Sequence, residues 1–285
     1  MRLGYFDGLA VPYRNLTWAD VNTPHAQSLA KQAAVEGITL LKNDNGMLPL
    51  KLSNTTSIAL IGDWANATTQ MQGNYHGVPP YLHGPLYAAQ QLGVTINYAT
   101  GPSGQGDPTT DGWYPSVWDA ANNSDIIIYA GGIDNSVEAE GMDRMSLDWT
   151  GAQLDVIGQL AMYGKPMTVL QMGGGQIDSS PIRDNSNISA LLWGGYPGQD
   201  GGTALFDILT GKSAPAGRLP SKFSEVLWYA NEYLTNLNSD SISFELHFPS
   251  PNDEYVLAPG REQPRPDLQM VQWCSVRVRL WTALH

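Results

Sequence analysis

Apolar positions gather in five short runs, at 57–62 (SIALIG), 95–99 (TINYA), 125–132 (DIIIYAGG), 167–172 (MTVLQM) and 188–195 (ISALLWGG). Within each run hydrophobic residues follow one another with little alternation. Both faces of each strand should therefore be covered, as in parallel strands packed between layers of helices. Between the runs the period changes. Thr23 and Pro24 open a helix as N-cap and first-turn proline, HAQSLAKQAAVEG follows, and Gly37 stops it. Further helices are predicted over 81–92, closed by Gly93, over the weaker stretch 117–122, over 153–163 with Leu154, Ile157 and Leu160 on one face, and over 203–209, ended by Gly211. Strands alternating with helices predict an α/β fold, a doubly wound, mostly parallel sheet sandwich. The expected organisation is a linker over 1–22, the α/β-sandwich domain over 23–220 and an irregular tail over 221–285.

Composition narrows what this domain could do. The 285 residues are 42% hydrophobic and 15% charged, within the range of a globular protein and unlike a disordered one. No apolar run approaches the roughly 18 residues that cross a bilayer, so no membrane partner is expected. The first residues, MRLGYFD, hold one basic residue and no apolar stretch, so no signal peptide is expected in this chain. A net charge of -12 repels phosphate backbones and argues against nucleic acid. With Cys274 alone, no internal disulfide and no cysteine metal site are expected. His25, His76, His83, His247 and His285 show no metal-ligand spacing. No cofactor is expected either, since neither G-x-G-x-x-G nor G-x-x-x-x-G-K-[ST] follows a strand, and a nucleotide-binding reading is disfavoured on that ground. Asn15, Asn54, Asn66, Asn122 and Asn187 head Asn-x-Ser/Thr sequons, which are glycosylation candidates only in a secretory context.

Three of the predicted strands end in glycine-rich turns: Gly131-Gly132, Gly173-Gly174-Gly175 and 194–198 (GGYPG). In an open α/β sheet the carboxyl ends of the strands form the ligand crevice. Clustered glycine there serves either close approach of backbone to a ligand or tight βα turns.

Several stretches, in this order, carry a family likeness: 40–43 (LLKN) with 48–50 (LPL), 58–63 (IALIGD), 131–144 (GGIDNSVEAEGMDR), 169–180 (VLQMGGGQIDSS), 193–202 (WGGYPGQDGG) and 211–219 (GKSAPAGRL). Together they resemble the second, α/β-sandwich domain of family 3 glycoside hydrolases. The AEGMDR and LQMGGGQ forms, with 71–75 (MQGNY), are similar to the fungal β-xylosidase branch. The resemblance implies a retaining exo-acting hydrolase of xylan and xylo-oligosaccharides or related β-glycosides, extracellular in the intact family member. Its aspartate nucleophile sits on a preceding barrel, and a glutamate from the second domain acts as general acid/base. Retention sets the two carboxyls roughly 5 Å apart, with the acid protonated at rest. The residue matching the family's acid/base is Glu140, with Glu138 the runner-up. The nucleophile has no counterpart, so the chain alone is expected to be inactive. Asp143 and Arg144 are expected to pair locally and fix the loop. Gln176 and Asp178 are read as structural before substrate-binding, and Trp193 as core before sugar platform. The alternative is a non-catalytic carbohydrate-binding or partner module derived from such an enzyme.

The resemblance also bears on both ends. The opening RLGYFD looks like the segment joining barrel to sandwich. With permitted codons, a one-base shift turns 265–284 into GRTYKWYSGAPFEFGYGLHY, which resembles the approach to the family's fibronectin-type-III-like region. The tail from about Pro251 is accordingly read as a frame-shifted remnant of that region, and 221–250 as a retained intron or another frame.

Overall fold

In the computed structural model the described residues are 4, 6–8, 11, 13–102 and 114–219, and the expected tail over 221–285 lies outside them. The strands are β1 (Thr39–Asn43), β2 (Ser57–Ile61), β3 (Thr95–Ala99), β4 (Ile126–Gly132), β5 (Met167–Met172) and β6 (Ala190–Gly195). The helices are α1 (Trp18–Val21), α2 (Pro24–Gly37), α3 (Pro85–Gln90), α4 (Pro115–Asn122), α5 (Gln153–Ala161), α6 (Ser180–Arg183) and α7 (Gly201–Leu209). One six-stranded sheet runs in the order β1-β6-β5-β4-β2-β3. Every neighbouring pair is parallel except β1 with β6. The predicted doubly wound sheet is thus present, with one antiparallel edge strand.

The near-continuous apolar runs have the expected cause. Alternate residues of each strand feed two separate cores. Ile58, Leu60, Ile128, Leu170 and Leu192 face one side with α2, α3 and α7. Ala59, Ile61, Ile127, Val169 and Leu191 face the other with α4 and α5. Burying a side chain of this size contributes roughly 1.5–3 kcal/mol, and the central strands β4 and β5 are buried at every position.

Helix boundaries follow local chemistry. Thr23 caps α2, its Oγ1 accepting from the Ala26 N–H at 3.1 Å, with Pro24 in the first turn. The helix expected over 81–92 begins only at Pro85, behind the N-cap Gly84. Residues 81–84 are diverted because Tyr81 and His83 bond to Asp200 at the start of α7. Within the expected linker, α1 closes a capping box between Thr17 and Asp20.

β1 was not anticipated as a strand. Lys42 interrupts its apolar character, yet the ammonium is nearly buried, donating to the carbonyls of Arg183 and Asn185, each at 2.8 Å, and pairing with Asp44 at 3.3 Å. A short stretch carrying a charge becomes a sheet edge because the end of α6 supplies acceptors for that charge.

Candidate active site

The chain passes from β3 over β2 to reach β4, so the topological switch point lies between the carboxyl ends of β2 and β4, where open α/β sheets bind ligands. A hollow of about 230 Å³ opens there, lined by Thr69, Gln70, Gly73 and His76 after β2 and by Asp134, Asn135 and Ser136 after β4. Tyr196, after β6, reaches behind it and donates its hydroxyl to Asn135 Oδ1 at 3.3 Å. Burial pushes the Tyr196 hydroxyl above its ordinary range.

The glycine turns are filled by the protein itself. A side chain at Gly62 would strike the Ala130 carbonyl, at Gly132 the Met172 carbonyl and at Gly173 the Ile133 carbonyl. All three also hold positive φ (115°, 136° and 107°). Gly174 lies against the Tyr196 ring, and Gly175 leaves room for the Glu138 carboxylate and the Arg144 guanidinium. Of the two roles open for these glycines, the close packing of βα turns is the one occupied.

The loop over 134–146 carries the predicted residues. Ala139 and Met142 exchange two backbone hydrogen bonds at 3.0 Å, leaving Glu140 and Gly141 as the central residues of a tight turn. Gly141 supplies the required positive φ of 74°. Glu140 stands exposed at the tip, and its carboxylate has no partner among the described residues.

The base of the turn is clamped. Arg144 Nε and Nη2 reach Glu138 Oε2 at 3.0 and 2.9 Å, and Nη2 also donates to the Gln176 carbonyl at 2.7 Å. The Arg144 side chain is only 7% exposed, so this is a largely desolvated tie between the loops after β4 and β5. The runner-up Glu138 is therefore committed to an ion pair, while Glu140 is not.

The other expected residues sort clearly. Arg144 does pair locally, but with Glu138; Asp143 is exposed and has no partner among the described residues. The reason is position: Glu138 and Arg144 flank the turn and meet across its base. Gln176 gives its carbonyl to Arg144. Asp178 donates its N–H to Leu147 O at 2.7 Å and accepts from Ser180 N–H at 2.9 Å. The Asp178 carboxylate thus acts on loop backbone, whereas Gln176 contributes its own backbone carbonyl. Trp193 is only half-buried and donates Nε1 to the Gly173 carbonyl at 3.2 Å.

One buried polar cluster has no marker in the sequence. Asp200, 7% exposed, accepts from the Tyr81 hydroxyl at 2.7 Å and lies 3.0 Å from His83 Nδ1. The His83 ring stacks between Tyr81 and Tyr87 at 4.5 and 4.1 Å. Burial first, and then Asp200, push the Tyr81 hydroxyl up. The cluster ties the loop after β2 to α7. A pairing between residues 117 to 119 positions apart leaves no local pattern to read.

Fold and loop geometry together define an α/β domain whose loop after β4 presents two carboxylates without a partner among the described residues, Glu140 at the tip of the clamped turn and Asp143 just beyond it. In comparison with known proteins, residues 38–254 match the glycosyl hydrolase family 3 C-terminal domain. A probable exo-1,4-beta-xylosidase of Aspergillus fumigatus, xlnD, is 52% identical over 260 residues, 91% of this chain and 32% of the relative. Its counterpart in Aspergillus terreus is 57% identical over 219 residues, 77% of this chain and 27% of the relative. A solved GH3 exo-beta-xylosidase (XlnD) in complex with a xylobiose aziridine activity-based probe superposes with a TM-score of 0.71 at 54% identity, covering 76% of this chain and 28% of that one. The chain belongs to glycosyl hydrolase family 3, matching its C-terminal domain, and spans about a third of the length of the curated relatives.

Proposed function

We propose that this chain is the acid/base-bearing part of a retaining exo-β-xylosidase acting on xylo-oligosaccharides, with Glu140 as general acid and then general base. The observation that carries the reading is the contrast within one loop. Glu138 is held by Arg144, whereas Glu140 stands free at the tip of a turn clamped at its base. A general acid must reach a leaving-group oxygen and then accept a proton from water, so it needs an unpaired carboxyl on a positioned loop.

The second carboxylate belongs to the part of the relatives that this chain does not span. The loops after β2 and β4 leave Tyr75, Val78, Met142 and Met145 exposed by 78%, 98%, 44% and 98%. Large apolar side chains exposed on the loops at this edge suit a surface covered by further protein. In such an enclosed cleft a sugar would sit between Glu140 and the nucleophile. Glu140 would protonate the departing oxygen while the nucleophile bonds to the anomeric carbon. The same carboxylate would then deprotonate the water that hydrolyses the glycosyl-enzyme.

On this reading the nucleophile is not among the described residues, and the chain alone should not turn over an aryl β-xyloside. The decisive test grafts residues 38–219 in place of the corresponding part of the Aspergillus fumigatus relative. In that hybrid, Glu140→Gln should lower kcat/KM by about 10²–10⁴-fold on a substrate with a poor leaving group. The loss should be smaller on an activated aryl xyloside, and added azide should restore turnover. A Glu140→Gln hybrid within a few-fold of its parent, with Glu138→Gln inactive, would transfer the role to Glu138.

An extracellular, glycosylated protein is part of the same proposal. Asn15, Asn54, Asn66, Asn122 and Asn187, the five sequon asparagines, are all exposed, as acceptors of a glycan must be.

A further inference from the structure

The end of the sheet away from the hollow has a depression of its own. α4 leads into β4 and α5 leads into β5, so both helices finish beside the amino ends of the parallel strands. Between their last turns lies an open groove of about 550 Å³, lined by Trp118, Asn122, Gln159, Met162 and Tyr163. Trp118 and Asn122 are four residues apart on α4, and so share one flank. Gln159 lies in the last turn of α5, and Met162 and Tyr163 follow in the turn that leaves it. Met162 is 76% exposed, a large apolar side chain facing water. None of the lining side chains is charged.

Asn122 is the acceptor of the sequon Asn122-Asn123-Ser124. Its side chain is exposed and has no partner among the described residues. Its backbone, by contrast, is fixed. Lys165 Nζ donates to the carbonyls of Ala121, Asn122 and Ser124 at 2.7, 2.9 and 2.6 Å. Asn123 Nδ2 closes on Asp119 O at 2.8 Å. The last turn of α4 is thus a rigid mount for a free amide, one helical turn beyond an indole.

We infer that this groove seats the N-linked glycan of Asn122, with its first pyranose rings lying on Trp118, Met162 and Tyr163. Aromatic faces pack against the C–H face of a pyranose, and an amide such as Gln159 pairs with its hydroxyls. A neutral lining suits an uncharged sugar. A short covalent link raises the local sugar concentration into the millimolar range, so a contact too weak to capture free sugar still holds a tethered one. The inference rests on the proposal that the chain passes through a secretory pathway.

Met162 reports on the groove directly. A peroxide transfers one oxygen atom to an exposed thioether, giving the sulfoxide and water. Met145, 98% exposed on the Glu140 loop at the other end of the sheet, is the internal reference. The full chain is secreted from yeast beside its Asn122→Gln variant, both are treated with hydrogen peroxide, and peptide masses give sugar occupancy and sulfoxide rates.

The expected result is an occupied Asn122 and a Met162 to Met145 rate ratio roughly threefold or more below that of the variant, as when the seated state is the major one. Enzymatic removal of the glycan should restore the ratio. An occupied Asn122 with an unchanged ratio overturns the seating and leaves the secretory reading intact. Occupancy at other sequons but not at Asn122 overturns it as well. No sequon occupied removes both together. Free xylobiose perturbing the Trp118 resonance of unglycosylated chain, without shielding by the glycan, would instead make the groove a site for free oligosaccharide.

Discussion

The two ends of the parallel strands are built to opposite rules. At the amino ends, polar groups hold one another. Lys165 gathers three carbonyls, and Asp125 accepts from the Ser57 N–H and hydroxyl at 2.8 and 2.7 Å. At the carboxyl ends, backbone packs on backbone through glycines, and the Glu140 carboxylate at the tip of a clamped turn is left without a partner among the described residues, as is Asp143 after it. Polar groups at the amino ends are engaged in holding the strands in register, whereas those at the carboxyl ends leave a reactive group in reach of a ligand. Glycines with positive φ and no room for a side chain, Gly62, Gly132 and Gly173, therefore gather at the end where the proposed chemistry would take place.

The sharpest way to break the contrast is Gly132→Ala. Gly132 combines a φ of 136° with a site where a Cβ would strike the Met172 carbonyl of β5. The backbone penalty alone is about 1–3 kcal/mol, and separating two buried strands adds to it. A loss of more than about 3 kcal/mol is expected in urea unfolding, enough to leave a marginal domain unfolded. Gly141→Ala, with a positive φ but open space around it, should cost about 1 kcal/mol and leave the sheet intact.

Within the Glu140 loop the same contrast predicts a smaller, more discriminating effect. Arg144→Met removes the Glu138 pair and the tie to Gln176. It should destabilise by about 1–2 kcal/mol and expose the loop around residues 139–142 to proteolysis. Arg144→Lys should recover little, because an ammonium lacks the fork that spans both acceptors. Glu140→Gln should leave the unfolding midpoint within about 0.5 kcal/mol of the parent, since nothing holds its carboxylate. Equal losses for Arg144→Met and Glu140→Gln would mean that both carboxylates are structural.

How far all this was legible depends on the distance between interacting groups along the chain. The buried strands and long helices were legible because burial on both faces, caps and stop glycines are local patterns. Glu140 was reached through the AEGMDR resemblance, and the tight turn that carries it, with Gly141 at positive φ, is seen in the structure. β1 was missed because the acceptors that allow Lys42 into the sheet lie 141 and 143 residues away. The early start given to the helix at 81–92 has the same origin, since Asp200, more than a hundred residues along the chain, claims Tyr81 and His83. Arg144 was tied to its adjacent Asp143 when the turn brings Glu138 to it. That choice depended on the hairpin, which a list of charges does not contain.

The smallest predicted effect tests the amino-end ties by pH. The Ser57 hydroxyl, and then the Ser57 N–H, hold the Asp125 carboxyl below the usual carboxylate range. A carboxyl whose folded pKa is depressed contributes stability that is fully present above its unfolded value, about 3.9, and is lost as pH falls through the lower folded value. The chain should therefore melt above Asp125→Asn at pH 7, with the two melting curves converging as pH falls from about 4 toward 2. Asp184, held low by Arg183, titrates in both proteins and cancels in the difference. Because Asp125 is exposed and screened, the gap should be modest and should narrow little with salt, as its partners are neutral dipoles rather than charges. A gap that closes in high salt at neutral pH would mean that Asp125 acts through the Lys165 charge, and that the tie to Ser57 is incidental.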